Sequence, residues 1–116
     1  MKHQIAANIN EATFMQLVTE TAQWYDWHTF HPKPAQLAGR YLTAFDGLAG
    51  FPDLVLARRP DTKNPGGVIF AELKTVKGKT SAKQRIWLDT LELAGAETYL
   101  WRPTDWDFIH RRLRGH

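Results

Sequence analysis

One stretch of this chain, Val68-Ile69-Phe70-Ala71-Glu72-Leu73-Lys74, is almost continuously apolar and then ends in charged residues. Such a run predicts a β-strand covered on both faces, where a charged pair is out of place without a function. Side chains two apart on a strand share a face, so Glu72 and Lys74 point the same way. A second apolar run, Leu54-Val55-Leu56-Ala57, begins directly after Pro52-Asp53. We therefore expect two carboxylates and one amine to lie at neighbouring strand ends.

This set of groups suits the hydrolysis of a phosphodiester bond. Hard divalent cations such as Mg²⁺ take oxygen ligands, usually one or two carboxylates with water. Asp53 and Glu72 would hold the cation, together with the backbone carbonyl of Leu73, and a bound water would become more acidic. Lys74 would position that water and stabilise the developing negative charge. The alternative interpretation is a strand end that leaves the core with solvated charges, with Asp53 as an ordinary turn residue.

Composition narrows the class of protein. The chain has 116 residues, 43% of them hydrophobic, and no cysteine. This length predicts one domain, residues 1–116, with its own core. The lack of cysteine excludes disulfides and thiolate metal sites. The first ten residues do not resemble a signal peptide, and no run approaches the length of a membrane span, so we expect no membrane association and a location in the cell interior.

Positive charge is concentrated in two places. The formal net charge of +3 is compatible with a nucleic-acid partner. One cluster follows Lys74 along the chain and is expected to bind DNA phosphates. The other lies at the C-terminus and is more typical of a solvated face. The candidate DNA-binding residues of the first cluster are Lys77, Lys79, Lys83 and Arg85; the C-terminal cluster is Arg111, Arg112 and Arg114.

Hydrophobic periodicity and turn residues predict the element order α-β-β-β-α-β-α. An irregular segment is expected between the first strand and about Phe51. The second and third strands should form an antiparallel hairpin, and the fourth should lie parallel to the third through a right-handed crossover. The predicted helices are Glu11–Tyr25 with Asn8 as N-cap, Ala82–Ala94 with Ser81 as N-cap, and Thr104 to about Leu113; the predicted strands are Trp27–Phe30, Asp53–Arg58, Val68–Lys74 and Glu97–Trp101.

Taken in this order, the motifs resemble the virus-type replication–repair nuclease (VRR-NUC) family of the PD-(D/E)xK nuclease superfamily. The resemblance covers nearly the whole chain. It implies an α/β, restriction-endonuclease-like core, with a mixed four-stranded sheet flanked by helices. The residues that carry it are Glu11, Phe14 and Gln16; Trp27–His31; Gly50-Phe51-Pro52-Asp53-Leu54; Ile69–Lys74; Ser81, Gln84, Trp87, Leu88, Leu91 and Gly95; and Tyr99–Pro103.

The same resemblance implies an activity and its partners. The expected activity is DNA endonuclease cleavage that depends on Mg²⁺ or Mn²⁺ and selects branched DNA, as a Holliday-junction resolvase does. Stand-alone members of the family act as homodimers, and two opposed cuts in a four-way junction need two sites related by a two-fold axis. We therefore expect a homodimer. The family includes phage and bacterial proteins, so the expected location is the cytoplasm of a bacterium or a phage-infected host, and the pathway stays open between phage replication, DNA repair and restriction.

Two further residues are candidates for the site. Family members place a glutamate of the first helix near the metal, and helical projection puts Glu11 about 50° and Glu20 about 130° from the centre of the apolar face. Glu11 is therefore the candidate third acidic residue, although a capping-box role would also explain it. Gln84 shares the inward stripe of its helix with Trp87. Its partner is either the active-site lysine, a carboxylate or DNA, or else Ser81 in a capping box.

Other functions remain open at this point. A non-catalytic DNA-binding module on a nuclease fold would keep the basic cluster without cleaving DNA. A flap, general repair or restriction-type nuclease would use the same site on other substrates, and a carboxylate-based glycosidase would need a sugar-binding groove. His28 and His31 lie three apart on a predicted strand and face opposite sides, which argues against a shared zinc ion.

Overall fold

The structure is a computed structural model, and it describes residues 5–32, 35–37, 40–42 and 49–115. The α-helices of this part are α1 (Glu11–Trp24), α2 (Ala82–Leu93) and α3 (Trp106–Arg114), and a 3-10 helix (Pro103–Asp105) precedes α3. The strands are β1 (His28–Phe30), β2 (Ala35–Leu37), β3 (Arg40–Leu42), β4 (Leu54–Arg58), β5 (Gly67–Leu73) and β6 (Glu97–Trp101).

The main sheet has the strand order β1-β4-β5-β6. Strand β4 runs antiparallel to both β1 and β5, and β6 runs parallel to β5. In the register, Leu54 lies opposite Ala71, and Leu73 lies opposite Trp101. The predicted hairpin and the parallel crossover are both confirmed. This mixed four-stranded sheet with helices is consistent with a restriction-endonuclease-like core.

One face of the sheet forms the hydrophobic core together with α1 and α3. The alternation along β4 turns Leu54 and Leu56 into this core. The predicted apolar stripe of the first helix is confirmed at its centre, where Phe14, Val18 and Ala22 are buried. Leu73 is also fully buried, as expected for a residue whose side chain points to the core face while its two neighbours point to the opposite face.

The opposite face of the sheet is covered more lightly, by α2. The whole of α2 is described, and none of its side chains is fully buried. Phe30 and Val68, which lie on this face, expose 63% and 51% of their side-chain surface. On this face, parts of β1 and the beginning of β5 are therefore open to solvent.

The structure confirms that Glu11 is the first residue of α1, but it corrects the predicted N-cap of this helix. Its N-cap is Asn10, whose side-chain oxygen accepts a 2.8 Å hydrogen bond from the Thr13 N–H, and not Asn8. Glu11 is therefore the first helical residue. Because the reciprocal capping box needs its glutamate at the third helical position, Glu11 cannot close one.

Two further segments differ from the prediction, whereas the remaining helix and strand ends agree with it to within about one residue. The segment expected to be irregular contains the antiparallel pair β2–β3, whose three-residue strands are too short to show a period in the sequence; residues 43–48 lie outside the described part. The last helix begins at Trp106 after the 3-10 helix, and not at a Thr104 cap, because Asp105 accepts a 2.9 Å hydrogen bond from the Arg102 N–H.

Within the described residues, none of the helices combines the length and apolar character required to cross a bilayer.

Candidate active site

The turn before β4 brings the chain close to α2. Gly50 has a φ of +83°, which disfavours residues with a side chain. A Cβ atom at this position would lie 2.6 Å from the backbone carbonyl carbon of Lys83 in α2. Glycine is therefore required here both for conformation and for space. The close approach places Asp53, three residues later, at the same end of the sheet as the start of α2.

Aromatic packing holds the rest of this turn. The Phe51 ring meets the Trp87 ring edge-on at a centroid distance of 4.9 Å and the Phe70 ring at 6.1 Å. Pro52 is fully buried. Because Phe70 belongs to β5 and Trp87 to α2, Phe51 joins the sheet to the helix directly beside the site.

Asp53 is held by its neighbours on both sides. Its Oδ2 accepts a 2.9 Å hydrogen bond from the Leu73 N–H, at the end of β5. Its backbone carbonyl accepts a hydrogen bond from Nδ1 of the His31 ring. The pairing of Leu54 with Ala71 puts Asp53 across from Glu72. The structure therefore brings the two predicted carboxylates together.

Glu72 is the buried member of the pair, with only 1% of its surface exposed. Its Oε2 lies 3.8 Å from Lys74 Nζ, so the predicted carboxylate–amine pair is present. Its Oε1 is buried and has no hydrogen-bond partner within the described part of the chain. A carboxylate oxygen in this position is costly to bury unless a cation or a proton satisfies it.

The protonation of Glu72 reflects this environment. Burial raises the pKa of Glu72 to about 8, and the nearby carboxyl group of Asp53 acts in the same direction. Lys74 opposes the shift but does not cancel it. Two carboxylates that share a site repel each other, and a divalent cation between them would remove that repulsion. The oxygen donors present therefore fit a hard cation such as Mg²⁺ or Mn²⁺.

Gln84 has both of the contacts that the sequence left as alternatives. Its Oε1 accepts a 2.8 Å hydrogen bond from the Ser81 N–H, and the Ser81 hydroxyl accepts one from the Gln84 N–H, which is a capping box. Its Nε2 donates a 2.6 Å hydrogen bond to Glu72 Oε2. One side chain therefore caps α2 and orients the buried carboxylate.

Glu11 is not gathered with the other two acidic residues. It is exposed at the first position of α1. Among the described residues, no group of three or more His, Asp or Glu side chains is arranged to hold a metal ion. The role of Glu11 as a third ligand therefore stays a prediction.

The predicted DNA-binding residues lie in exposed positions next to this site. Lys77 and Lys79 belong to the loop between β5 and α2, and Lys83 and Arg85 belong to the first turns of α2. The C-terminal cluster differs in part from the solvated face that the sequence suggested, because Arg112 forms a 2.5 Å ion pair with Glu97. That arginine has a structural partner, in addition to any contact with solvent.

The sequence analysis did not identify two residues that contact the site and its loop. Arg102 donates hydrogen bonds from Nη1 to the carbonyls of Thr75 and Gly78, at 2.6 and 2.7 Å. His31 binds the backbone of Asp53. Neither contact can be recognised from the neighbouring sequence. The partners of Arg102 lie 24 to 27 residues earlier in the chain, and the partner of His31 lies 22 residues later.

Comparison with known proteins agrees with the geometry. A family model described as the VRR-NUC domain matches residues 2–103, a range that includes Asp53, Glu72, Lys74 and Gln84. No curated protein and no solved structure gave a significant match. The matched range covers most of the chain. This chain therefore belongs to the VRR-NUC domain family, a family of nuclease domains.

Proposed function

We propose that this protein is a metal-dependent endodeoxyribonuclease that cleaves branched DNA. The observation that carries the proposal is the convergence of Asp53 and the buried Glu72 at adjacent strand ends, with the Lys74 amine 3.8 Å from Glu72. The unsatisfied Glu72 Oε1 supports a cation as the missing partner. Membership in a nuclease family makes DNA the natural substrate.

The residues that would hold the cation are Asp53, Glu72 and the carbonyl of Leu73. In an antiparallel ladder, a residue that donates its N–H to one neighbouring strand also turns its C=O towards that strand. The Leu73 N–H binds Asp53, so the Leu73 carbonyl is directed to the same side. When bound, Mg²⁺ or Mn²⁺ supplies positive charge that polarises the scissile phosphate and acidifies a water molecule.

The remaining polar groups orient the reactants. Lys74 keeps 16% of its side chain exposed, which allows its amine to contact both Glu72 and a substrate phosphate. There it would orient the attacking water and stabilise charge that develops on the phosphate oxygens. Gln84 holds Glu72 in one rotamer, so that the carboxylate is in place before the substrate binds.

Preference for branched DNA and a homodimer belong to the same proposal. Two opposed cuts in a four-way junction need two active sites related by a two-fold axis. The exposed apolar side chains Phe30 and Val68 lie on one sheet face, and such surfaces are typical of interfaces. The homodimer is tested by sedimentation of the wild-type protein and of the Val68→Lys variant. A wild-type protein that is monomeric at micromolar concentration would contradict the homodimer.

The activity is tested with purified protein and three DNA substrates: a four-way junction, a flap and a linear duplex. We expect cleavage of the branched substrates with Mg²⁺ or Mn²⁺, and none with EDTA. Asp53→Asn, purified in the same way, is the control for a contaminating nuclease. Metal-independent binding without any cleavage would instead support the non-catalytic DNA-binding module.

A further inference from the structure

A groove of about 470 Å³ lies beside the candidate active site. One wall is the segment before α1, residues 7–10, and the other is the start of the loop after β5, residues 75–77. We propose that this groove binds one unpaired nucleotide of the DNA, next to the phosphate that is cleaved. The inference rests on the proposed function and adds a substrate subsite to it.

The position of the groove is the first argument. Its loop wall begins at Thr75, directly after Lys74. The loop then folds back onto this lysine, since a Cβ atom at Gly78 would lie 3.4 Å from Lys74 Cδ. The wall and the amine therefore belong to one compact turn. A DNA strand with a phosphate at Lys74 would place an adjoining nucleotide at this wall.

Both walls are held in place without a ligand. Arg102 fixes the loop through the carbonyls of Thr75 and Gly78, and the Lys74 N–H donates a 3.0 Å hydrogen bond to the Trp101 carbonyl. On the other wall, Asn10 caps α1 and Ile9 packs against the core. Small-molecule sites are usually preformed in this way, with volumes of roughly 300–1,000 Å³.

The chemistry of the lining matches a nucleotide. Ala7, Ile9 and Val76 offer apolar surface for the flat face of a base. The side-chain amides of Asn8 and Asn10 can form hydrogen bonds with base edges. Lys77 adds a positive charge for the phosphate.

A base can enter such a groove only when it is out of the helical stack. Unstacking a base costs least where the base is already unpaired. Branch points and flaps offer such nucleotides, whereas an intact linear duplex does not. The groove therefore provides a physical reason why this site would select branched DNA.

The test fills the groove and compares two DNA probes. Ala7→Trp adds a large side chain at an exposed position of one wall, and Val76→Glu adds a negative charge to the opposite wall. Thr62→Trp is the matched control, because this exposed residue lies in the β4–β5 turn, at the far end of both strands from Asp53. Binding is measured with Ca²⁺ in place of Mg²⁺, using a flap DNA and a linear duplex.

We expect Ala7→Trp and Val76→Glu to weaken binding of flap DNA about tenfold, the size of one lost base contact. Binding of the duplex should stay within about twofold for Ala7→Trp, since the same contact is absent there. Thr62→Trp should bind both probes as the wild-type protein does. An abasic nucleotide at the branch should lower wild-type affinity to the level of Ala7→Trp, and the two changes should not add.

The inference is overturned if Ala7→Trp binds flap DNA normally, or if it loses duplex and flap affinity equally. Cleavage is scored separately on the same preparations. If cleavage requires metal and Asp53, but filling the groove has no effect on binding, the proposed subsite is refuted and the nuclease proposal is retained. A wild-type protein that binds flap DNA selectively but never cleaves it removes the nuclease proposal alone.

Discussion

Gln84 and Glu72 lie on different elements, α2 and β5, and are joined by a 2.6 Å hydrogen bond from the amide Nε2 to the carboxylate Oε2. The Oε1 atom of the same amide group accepts a hydrogen bond from the Ser81 N–H at the start of α2. The beginning of the helix and the buried carboxylate are therefore linked through one side chain. Any change that shifts this helix start also shifts the group expected to hold the metal.

Gln84→Ala should therefore affect both stability and rate. Loss of the reciprocal cap lowers the free energy of unfolding by about 1 kcal/mol. Loss of the bond to Glu72 lowers the cleavage rate on the order of tenfold or more, as for other residues that orient metal ligands. Ser81→Ala is the matched control, because it removes only the cap. Equal rates for the two variants would show that the Glu72 contact has no role in catalysis.

The two acidic residues should be needed for cleavage and not for DNA binding. Asp53→Asn and Glu72→Gln keep the size of each side chain but remove the charge that holds a cation, so cleavage should fall below detection. Binding should be kept or become tighter, because repulsion between carboxylate and phosphate is relieved. Glu20→Gln is the control, an exposed change on α1 that should cleave normally. Wild-type cleavage by either site variant would refute the assignment.

Glu72 should make stability depend on pH in the absence of metal. Its pKa is about 8 in the folded protein, against an ordinary value of 4.5, so between these values the folded state holds a proton that the unfolded state has lost. The free energy of unfolding must then decrease as pH rises through this window, by at most a few kcal/mol. Urea unfolding in EDTA between pH 5 and 8.5 measures the effect. Glu72→Gln should remove it, and parallel curves for the two proteins would contradict the raised pKa.

Gly50→Ala should disturb the site through the backbone. A Cβ atom there meets a positive φ and the Lys83 main chain at 2.6 Å, so we expect a loss of roughly 2–4 kcal/mol in stability together with weaker cleavage. Gly95→Ala is the control, since its φ of +98° is also positive but no atom lies within 4 Å of the added carbon. Gly95→Ala should lower the free energy of unfolding by only about 1–2 kcal/mol and leave the cleavage rate unchanged. Similar cleavage rates for the two variants would show that Gly50 is not needed to position Asp53.

The salt dependence of DNA binding should locate the DNA path. Each phosphate contact that is lost lowers the slope of log affinity against log salt by about one, so Lys79→Ala combined with Lys83→Ala should lower it by about two. The same titration of Arg111→Ala provides the control, because this exposed residue belongs to the C-terminal cluster. A slope that changes with Arg111 and not with the lysines would place the DNA on the opposite surface.

The order of elements follows from local patterns. The buried run of β5, the alternation of β4 and the Ser81 cap are each set by residues within one or two turns of chain, which is why their positions could be predicted. The predicted N-cap of α1 was wrong by two residues, because Asn8 and Asn10 are both good caps and only the path of the chain selects between them.

The sequence by itself determined which elements form, and it identified Asp53, Glu72 and Lys74 as a set, because periodicity and motif spacing are local properties of the chain. The tertiary structure decided that Gln84 performs two tasks, that Arg102 holds the loop beside Lys74, and that Glu11 stands apart from the carboxylate pair. Those outcomes depend on distances between residues far apart in the chain, which arise only when the sheet and the helices pack.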